Sequence, residues 1–180
     1  MIRLGLMACL SGLLLAGCGQ SGSASRPVRH EREGYFTYQN FVANWEHSIS
    51  SAQYACLRTM GEYDRIYHAA GTMGALRPYG PPESFFSNRQ MLMVCRTSPG
   101  DSSGTLFTLQ DVREAEGEIT VTYAYAGRTD LTGGLKDTLN VYVPKKDYAR
   151  VRFVENGRLV QVLDLRGGQW AVPPAHPAIK

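Results

Sequence analysis

The chain has 180 residues, 43% of them hydrophobic and 19% charged, with a formal net charge of +3. That length and balance suit one ordinary domain with a real core and exclude a disordered or fibrous chain. So small a charge, with Lys145-Lys146 as the nearest thing to a basic cluster, argues against nucleic acid as a partner.

The first residues address the protein rather than fold it. Arg3 supplies a positive start, Leu4 to Leu15 is a short apolar run, and Ala16 and Gly17 lead into Cys18. A membrane-spanning helix needs roughly 20 apolar residues, so this run is too short to span. Leu15-Ala16-Gly17-Cys18 resembles the lipobox of bacterial lipoproteins. In that family the cysteine thiol takes a diacylglycerol, the chain is cut before it, and the new amine is acylated. The resemblance implies a signal peptide over 1–17, lipidation at Cys18, and anchoring to a membrane by acyl chains. Gly19, rather than aspartate, follows the cysteine, and this favours the outer over the inner membrane. The alternative is an ordinary secretory signal with an incidental cysteine.

Residues 18–34 are small, polar and mixed in charge, and read as a flexible tether. Residues 35–168 form the folded domain, and 169–180, with "VPPAHPAIK", a proline-rich tail. Cys9 leaves with the signal and Cys18 carries lipid, so Cys56 and Cys95 remain. In an oxidising compartment they are a disulfide candidate, with two buried thiols as the alternative.

Within the domain the pattern is mostly β. Tyr35 to Val42 reads as a first strand, although Asn40 to Ile49 also suits a short helix. Gln53 to Arg58 is a strand, and Thr59-Met60-Gly61-Glu62 is a capping box. Tyr63, Ile66, Tyr67 and Ala70 continue at helical spacing to a stop at Gly71. "QMLMVCR", Gln90 to Arg96, is nearly continuous in apolar residues and reads as a central strand. Thr105–Glu114 and Glu118–Ala126 form a hairpin. Its first arm alternates Leu106, Thr108, Gln110 and Val112 against Phe107, Leu109 and Asp111. Its second arm puts Ile119, Val121, Tyr123 and Tyr125 on one face. Thr138–Val143 is a further strand stopped by Pro144, and Tyr148–Glu155 and Arg158–Leu165 flank the hairpin signal Asn156-Gly157. The expected fold is α+β, a mainly antiparallel β-sheet or small sandwich with one packed helix.

The order of elements from about Tyr54 to Glu155 resembles the PrcB-type C-terminal domain, a family of small exported bacterial domains named for a subunit of a surface protease complex. The matching stretches are "YACLRTMGEYDRIY", "PPESFFSNRQMLMVCR", "SSGTLFTLQDVREAEGEITVTY" and "DTLNVYVPKKDYARVRF". The chain departs from the family pattern around "AGRTDLTGGLKDT" and after Gly104. The resemblance implies a non-catalytic accessory domain and brings no catalytic residues.

Nothing in the sequence assembles a reaction centre. Of the histidines, His30 and His176 lie in the expected flexible ends, His47 and His68 have no carboxylate or cysteine at ligand spacing, and "HEREG" lacks a second histidine one helical turn on, so no metal or other cofactor is expected. Ser98, Ser102 and Ser103 beside Asp101 lack the G-x-S-x-G turn and read as a loop. "GRTDLTGG" lacks a phosphate-loop lysine and reads as a surface turn.

What remains is a choice between two ends. If the strands alternate, residues 97–104 and 127–137 leave the sheet at one end beside Asn156-Gly157, gathering Asp101, Arg128, Asp130 and Lys136 into a mixed-charge edge. The other end carries the long connection 72–88, with Leu76, Arg77, Tyr79 and Phe85 as candidate partner contacts. The alternative for Phe85 and Phe86 is that they plug the core. The expected function is a lipid-anchored, non-catalytic binding or accessory module of the cell envelope that engages a protein partner, with a protease complex as one destination. A small-ligand or glycan-binding lipoprotein is the alternative, and an envelope hydrolase stands behind it.

Overall fold

Alternating apolar residues build two sheets that face each other, as seen in a computed structural model that describes residues 24–32, 52–67, 81–98, 106–126 and 135–172. The strands, in chain order, are β1 (Arg26–Pro27), β2 (Glu31–Arg32), β3 (Ala52–Leu57), β4 (Arg89–Ser98), β5 (Phe107–Ala115), β6 (Glu118–Tyr125), β7 (Leu135–Pro144), β8 (Arg150–Glu155), β9 (Arg158–Asp164) and β10 (Ala171–Val172). One sheet runs β1-β5-β6-β8-β9 and the other β10-β3-β4-β7-β2. The expected α+β sandwich is therefore the observed fold, and the apolar β4 is central in its sheet.

The inner faces meet in one core. Tyr54, Cys56, Leu92, Val94, Leu139 and Val141 from one sheet pack on Phe107, Val112, Val121, Tyr123, Val151 and Phe153 from the other. The second sheet buries its outer face too, which is why "QMLMVCR" is apolar on both sides. Over that outer face lie helix α1 (Met60–Ile66) and a 3-10 helix (Glu83–Ser87), covering Ala55, Leu57, Met91, Met93 and Cys95.

Helix α1 starts as its sequence dictates. The Thr59 hydroxyl accepts from the Glu62 N–H at 3.1 Å, and Glu62 Oε2 accepts from the N–H groups of Thr59 (3.1 Å) and Arg58 (2.6 Å). The helix stops earlier than its apolar spacing predicts. At Tyr67 the backbone turns extended, and the Tyr67 hydroxyl donates to Asn140 Oδ1 of β7 at 2.8 Å. Ala70 and Gly71 lie outside the described residues, as do both alternatives for 35–49.

Two features of the sheets differ from simple alternation. In β5 the register shifts between Leu109 and Asp111, leaving Gln110 as a bulge. The extra residue moves Val112 onto the core face with Phe107 and Leu109, the reverse of the expected split. The second arm keeps its expected face, with Ile119, Val121, Tyr123 and Tyr125 all buried. In addition, β6 and β8 are parallel neighbours, Glu118 opposite Arg150 through Tyr123 opposite Glu155. The chain between them crosses to the second sheet and back as β7, as parallel pairing requires a crossover.

The paired strands reach further along the chain in both directions than the expected 35–168. Residues 26–32, read as tether, instead lay β1 along β5 and β2 along β7, so the segment passes from the edge of one sheet to that of the other. Val28 of this strap is buried against the core, and Arg113 holds the strap's start through Ser25 Oγ (2.6 Å) and Ser25 O (2.8 Å). The other side is closed likewise. After β9, Leu165 is buried and the Trp170 carbonyl accepts from Cys56 N–H at 2.7 Å. Then β10 pairs with β3, so the start of the expected tail is part of the sheet.

The disulfide is corrected as well. Cys56 and Cys95 are both buried and are not bonded to each other. Cys56 stands opposite Leu92 and Cys95 opposite Gln53 on the neighbouring strand. Each lies three positions, an odd offset, from the other's register position, so Cys56 points into the inter-sheet core and Cys95 under α1.

Candidate functional site

The strand ends that carry residues 99–105 and 127–134 gather at one end of the sandwich, as alternation predicts. There β4 ends, β5 begins, β6 ends and β7 begins, with Asn156-Gly157 between β8 and β9. Five side chains, those of Arg96, Tyr123, Asp137, Glu155 and Asn156, bind these ends together.

Arg96 ends the apolar run of β4 on the inner face and reaches across to Glu155 of the opposite sheet. Its Nη2 donates to Glu155 Oε1 at 2.8 Å and Oε2 at 2.9 Å, and its Nε to Oε2 at 3.1 Å. Each side chain is only 13% exposed. The Tyr123 hydroxyl donates to Glu155 Oε2 at 3.0 Å, and the guanidinium lies 4.9 Å over the Tyr125 ring. Burial alone would lower the arginine's pKa, but the Glu155 carboxylate and the hydroxyls of Tyr54 and Tyr123 hold it above its ordinary value. Burial, joined by Tyr54 and Glu155, pushes the Tyr123 phenol far up. Arg96 therefore stays charged and Tyr123 stays a neutral donor across the physiological range, and both are held against Glu155 as a fixed brace.

Asn156 does a second job. It sits in the left-handed region at φ 49, where asparagine is tolerated and Gly157 follows at φ 79. Its carboxamide then copies a strand residue: Nδ2 donates to Tyr125 O at 3.1 Å, and Oδ1 accepts from Tyr125 N–H at 3.1 Å. Its own N–H donates to Tyr123 O at 2.9 Å. Asp137, almost fully buried, accepts from Leu106 N–H at 3.0 Å and so fixes the start of β5 to β7.

Of the expected site residues, Lys136 stands on β7 opposite Thr97 at this end. Arg128 and Asp130 lie outside the described residues, as do Asp101, Leu76, Arg77, Tyr79 and Cys18. Phe85 is a correction: it is 5% exposed, edge-on to Tyr142 at 4.9 Å and Phe86 at 5.1 Å, with Arg89 over its ring. It plugs the core edge rather than offering a contact. Arg96, Glu155, Tyr123 and Asn156 were not singled out as a site in the sequence. The available signal was an arginine closing an apolar strand, which needs a buried partner from somewhere.

The opposite end is held by Glu114. It accepts from Lys146 Nζ (3.0 and 2.8 Å), from the Tyr148 hydroxyl (3.0 Å) and from Arg26 of the strap. These donors, Lys146 first, lower its pKa to about 2. Lys145 donates to the carbonyls of Phe86 (2.8 Å) and Arg58 (3.1 Å). Both lysines, though exposed, thus tie the connection after β7 to neighbouring elements. A hollow of about 450 Å³ opens beside Glu114, and the two cations that line it, Arg26 and Lys146, already pair with that carboxylate.

No family model matches the chain, and comparison with curated proteins and with solved structures finds no match.

Proposed function

We propose that the protein is a lipid-anchored, non-catalytic binding module of a bacterial envelope that engages a protein partner at the end braced by Arg96 and Glu155. The observation that carries this reading is the bracing itself. Four strand ends and one turn are tied together by an inter-sheet ion pair, an asparagine that mimics backbone and a buried aspartate. Such fixing holds the roots of residues 99–105 and 127–134 in place before any partner arrives, which reduces the ordering cost of binding. The lipobox-like Leu15–Cys18 supports the anchor and the envelope location, with Gly19 favouring the outer membrane. The likeness of residues 54–155 to PrcB-type domains supports an accessory role and suggests a protease complex as the destination.

Cross-linking of the tagged full chain in its own envelope, read by mass spectrometry, tests both parts. The expected result is a reproducible partner joined through residues 97–104 or 127–137. A Cys18→Ser variant should leave the membrane fraction with its fold intact. Recovery of the protein alone would overturn the accessory role and turn attention to small ligands. Retention of Cys18→Ser on the membrane would overturn the anchor.

A further inference from the structure

Pairing of the strap shortens the chain available as a tether. With the structure described from Ala24 and β1 starting at Arg26, residues 19–23 alone separate Cys18 from the domain. Six residue steps of fully extended chain reach at most about 22 Å. The chain enters at the end opposite the brace, where Ala24 and Arg26 lie with Glu114, Gly117 and Lys146 around one hollow. Strand β7, ten residues long, runs from the braced end to this entry end and spans about 30 Å. A lipid on Cys18 therefore cannot hold the domain with its braced end down, since that end would have to enter the bilayer. Upright and sideways placements remain.

Charge selects the upright one. At the entry end Glu114 pairs with both Arg26 and Lys146, and Glu118 with both Arg150 and Arg152, so cations exceed each carboxylate. Lys145 donates to two carbonyls, and the exposed Arg29 and Arg166 have no carboxylate partner among the described residues. Glu116, Asp147 and Asp164 are exposed there too, and the balance stays positive. Basic groups of this kind are drawn to an anionic bilayer within about a Debye length of its surface. We propose, resting on the reading that Cys18 is lipidated, that the entry end sits on the headgroups of an anionic bilayer and the braced end points away. Arg29 is the cation placed to meet a headgroup phosphate, since with Asn88 and Arg89 it lines an open hollow of about 270 Å³. The partner surface then stands about 30 Å above the bilayer, facing water.

Energy transfer from a dye on the protein to an acceptor on the headgroups is the test. The full chain, purified from its own membrane, is placed in vesicles of phosphatidylethanolamine and phosphatidylglycerol. The dye sits on Ser87→Cys at the entry end or on Thr108→Cys at the braced end, both exposed and uncharged positions, while Cys56 and Cys95 are buried. Transfer from position 87 should exceed that from position 108 by at least about twofold, given the length of the strands between them. The ratio should fall towards one on neutral phosphatidylcholine vesicles and in Arg29→Glu/Arg166→Glu, whose fold circular dichroism checks. Should that variant unfold, the neutral vesicles decide. Equal transfer from the two positions on anionic vesicles that the protein has joined overturns the proposal, the domain then lying on its side. A ratio unmoved by neutral lipid and by the folded variant overturns the headgroup contact. Protein that does not float with the vesicles overturns the anchor and this proposal with it, so the two failures are told apart.

Discussion

Glu155→Ala is the most informative single change, because it removes one half of the inter-sheet brace and leaves the other half stranded. The substitution deletes three contacts from Arg96 and one from Tyr123, all between 2.8 and 3.1 Å. Removing one partner of a fully buried ion pair costs about 3–5 kcal/mol, chiefly from the charge left without compensation. Here both side chains keep 13% exposure, so water reaches the guanidinium and the expected cost falls to about 2–3 kcal/mol. For a domain of this size that lowers the melting temperature by about 5–10 °C. The assay is chemical denaturation followed by tyrosine and tryptophan fluorescence, with Arg96→Met/Glu155→Leu as companion. The companion leaves no unpaired charge and should recover most of the loss. A cost below about 0.5 kcal/mol for Glu155→Ala would refute the reasoning, since such a value belongs to a solvated surface pair.

Three further outcomes follow from other contacts. Asn156→Ala should destabilise by about 1–2 kcal/mol, combining the lost pair of bonds to Tyr125 with positive φ, whereas Asn156→Gly should lose only the bonds; equal costs in denaturation would show that φ 49 is not strained. Glu114 has its pKa lowered from about 4.5 to about 2, so its contribution is complete above about pH 4.5 and is lost as the pH falls towards 2. In wild type that acid loss should be about 1 kcal/mol after allowance for solvent screening, and Glu114→Gln should flatten it; an unchanged pH profile refutes the assignment. Burial raises the Cys56 thiol to about 12, so at pH 8 mass mapping with iodoacetamide should leave it unlabelled until denaturant is added, and a Cys56–Cys95 cross-linked peptide would contradict the opposite-face geometry.

Much of the fold could be read from local chemistry. The capping box at Thr59 and Glu62, the apolar β4, the Asn156-Gly157 turn and the shared face of Ile119 to Tyr125 each follow from neighbours in sequence. What was not legible depends on distant residues or on a single inserted one. The Gln110 bulge reverses the face of Val112, and a strict period of two cannot anticipate it. Composition made residues 26–32 a tether because only Val28 is apolar, yet edge strands are held by backbone pairing, which composition does not record. The two cysteines look like a pair by count, but the strand register sends them to opposite sides of one sheet. Phe85 looks like an interface aromatic until Tyr142, far along the chain, is found against it.

The candidate site sharpens the same point. Arg96 and Glu155 are 59 residues apart, and their meeting depends on β8 lying parallel beside β6 rather than beside β7. An up-and-down meander would place the Asn156 turn at the same end but would not set Glu155 and Tyr123 at one register position. The crossover through the second sheet does so: it brings Tyr123 opposite Glu155 and leaves the carboxylate facing Arg96 across the core. Topology therefore determines whether the loop-bearing end is rigid or loose. A binding surface made of two connections that differ in length and composition needs rooted ends to present one shape, since each unrooted side chain or backbone segment adds an ordering cost on binding. The residues that fix the roots are thus expected to affect partner affinity without touching the partner. In the cross-linking assay, folded Glu155→Ala should weaken capture while the sites of cross-linking stay the same.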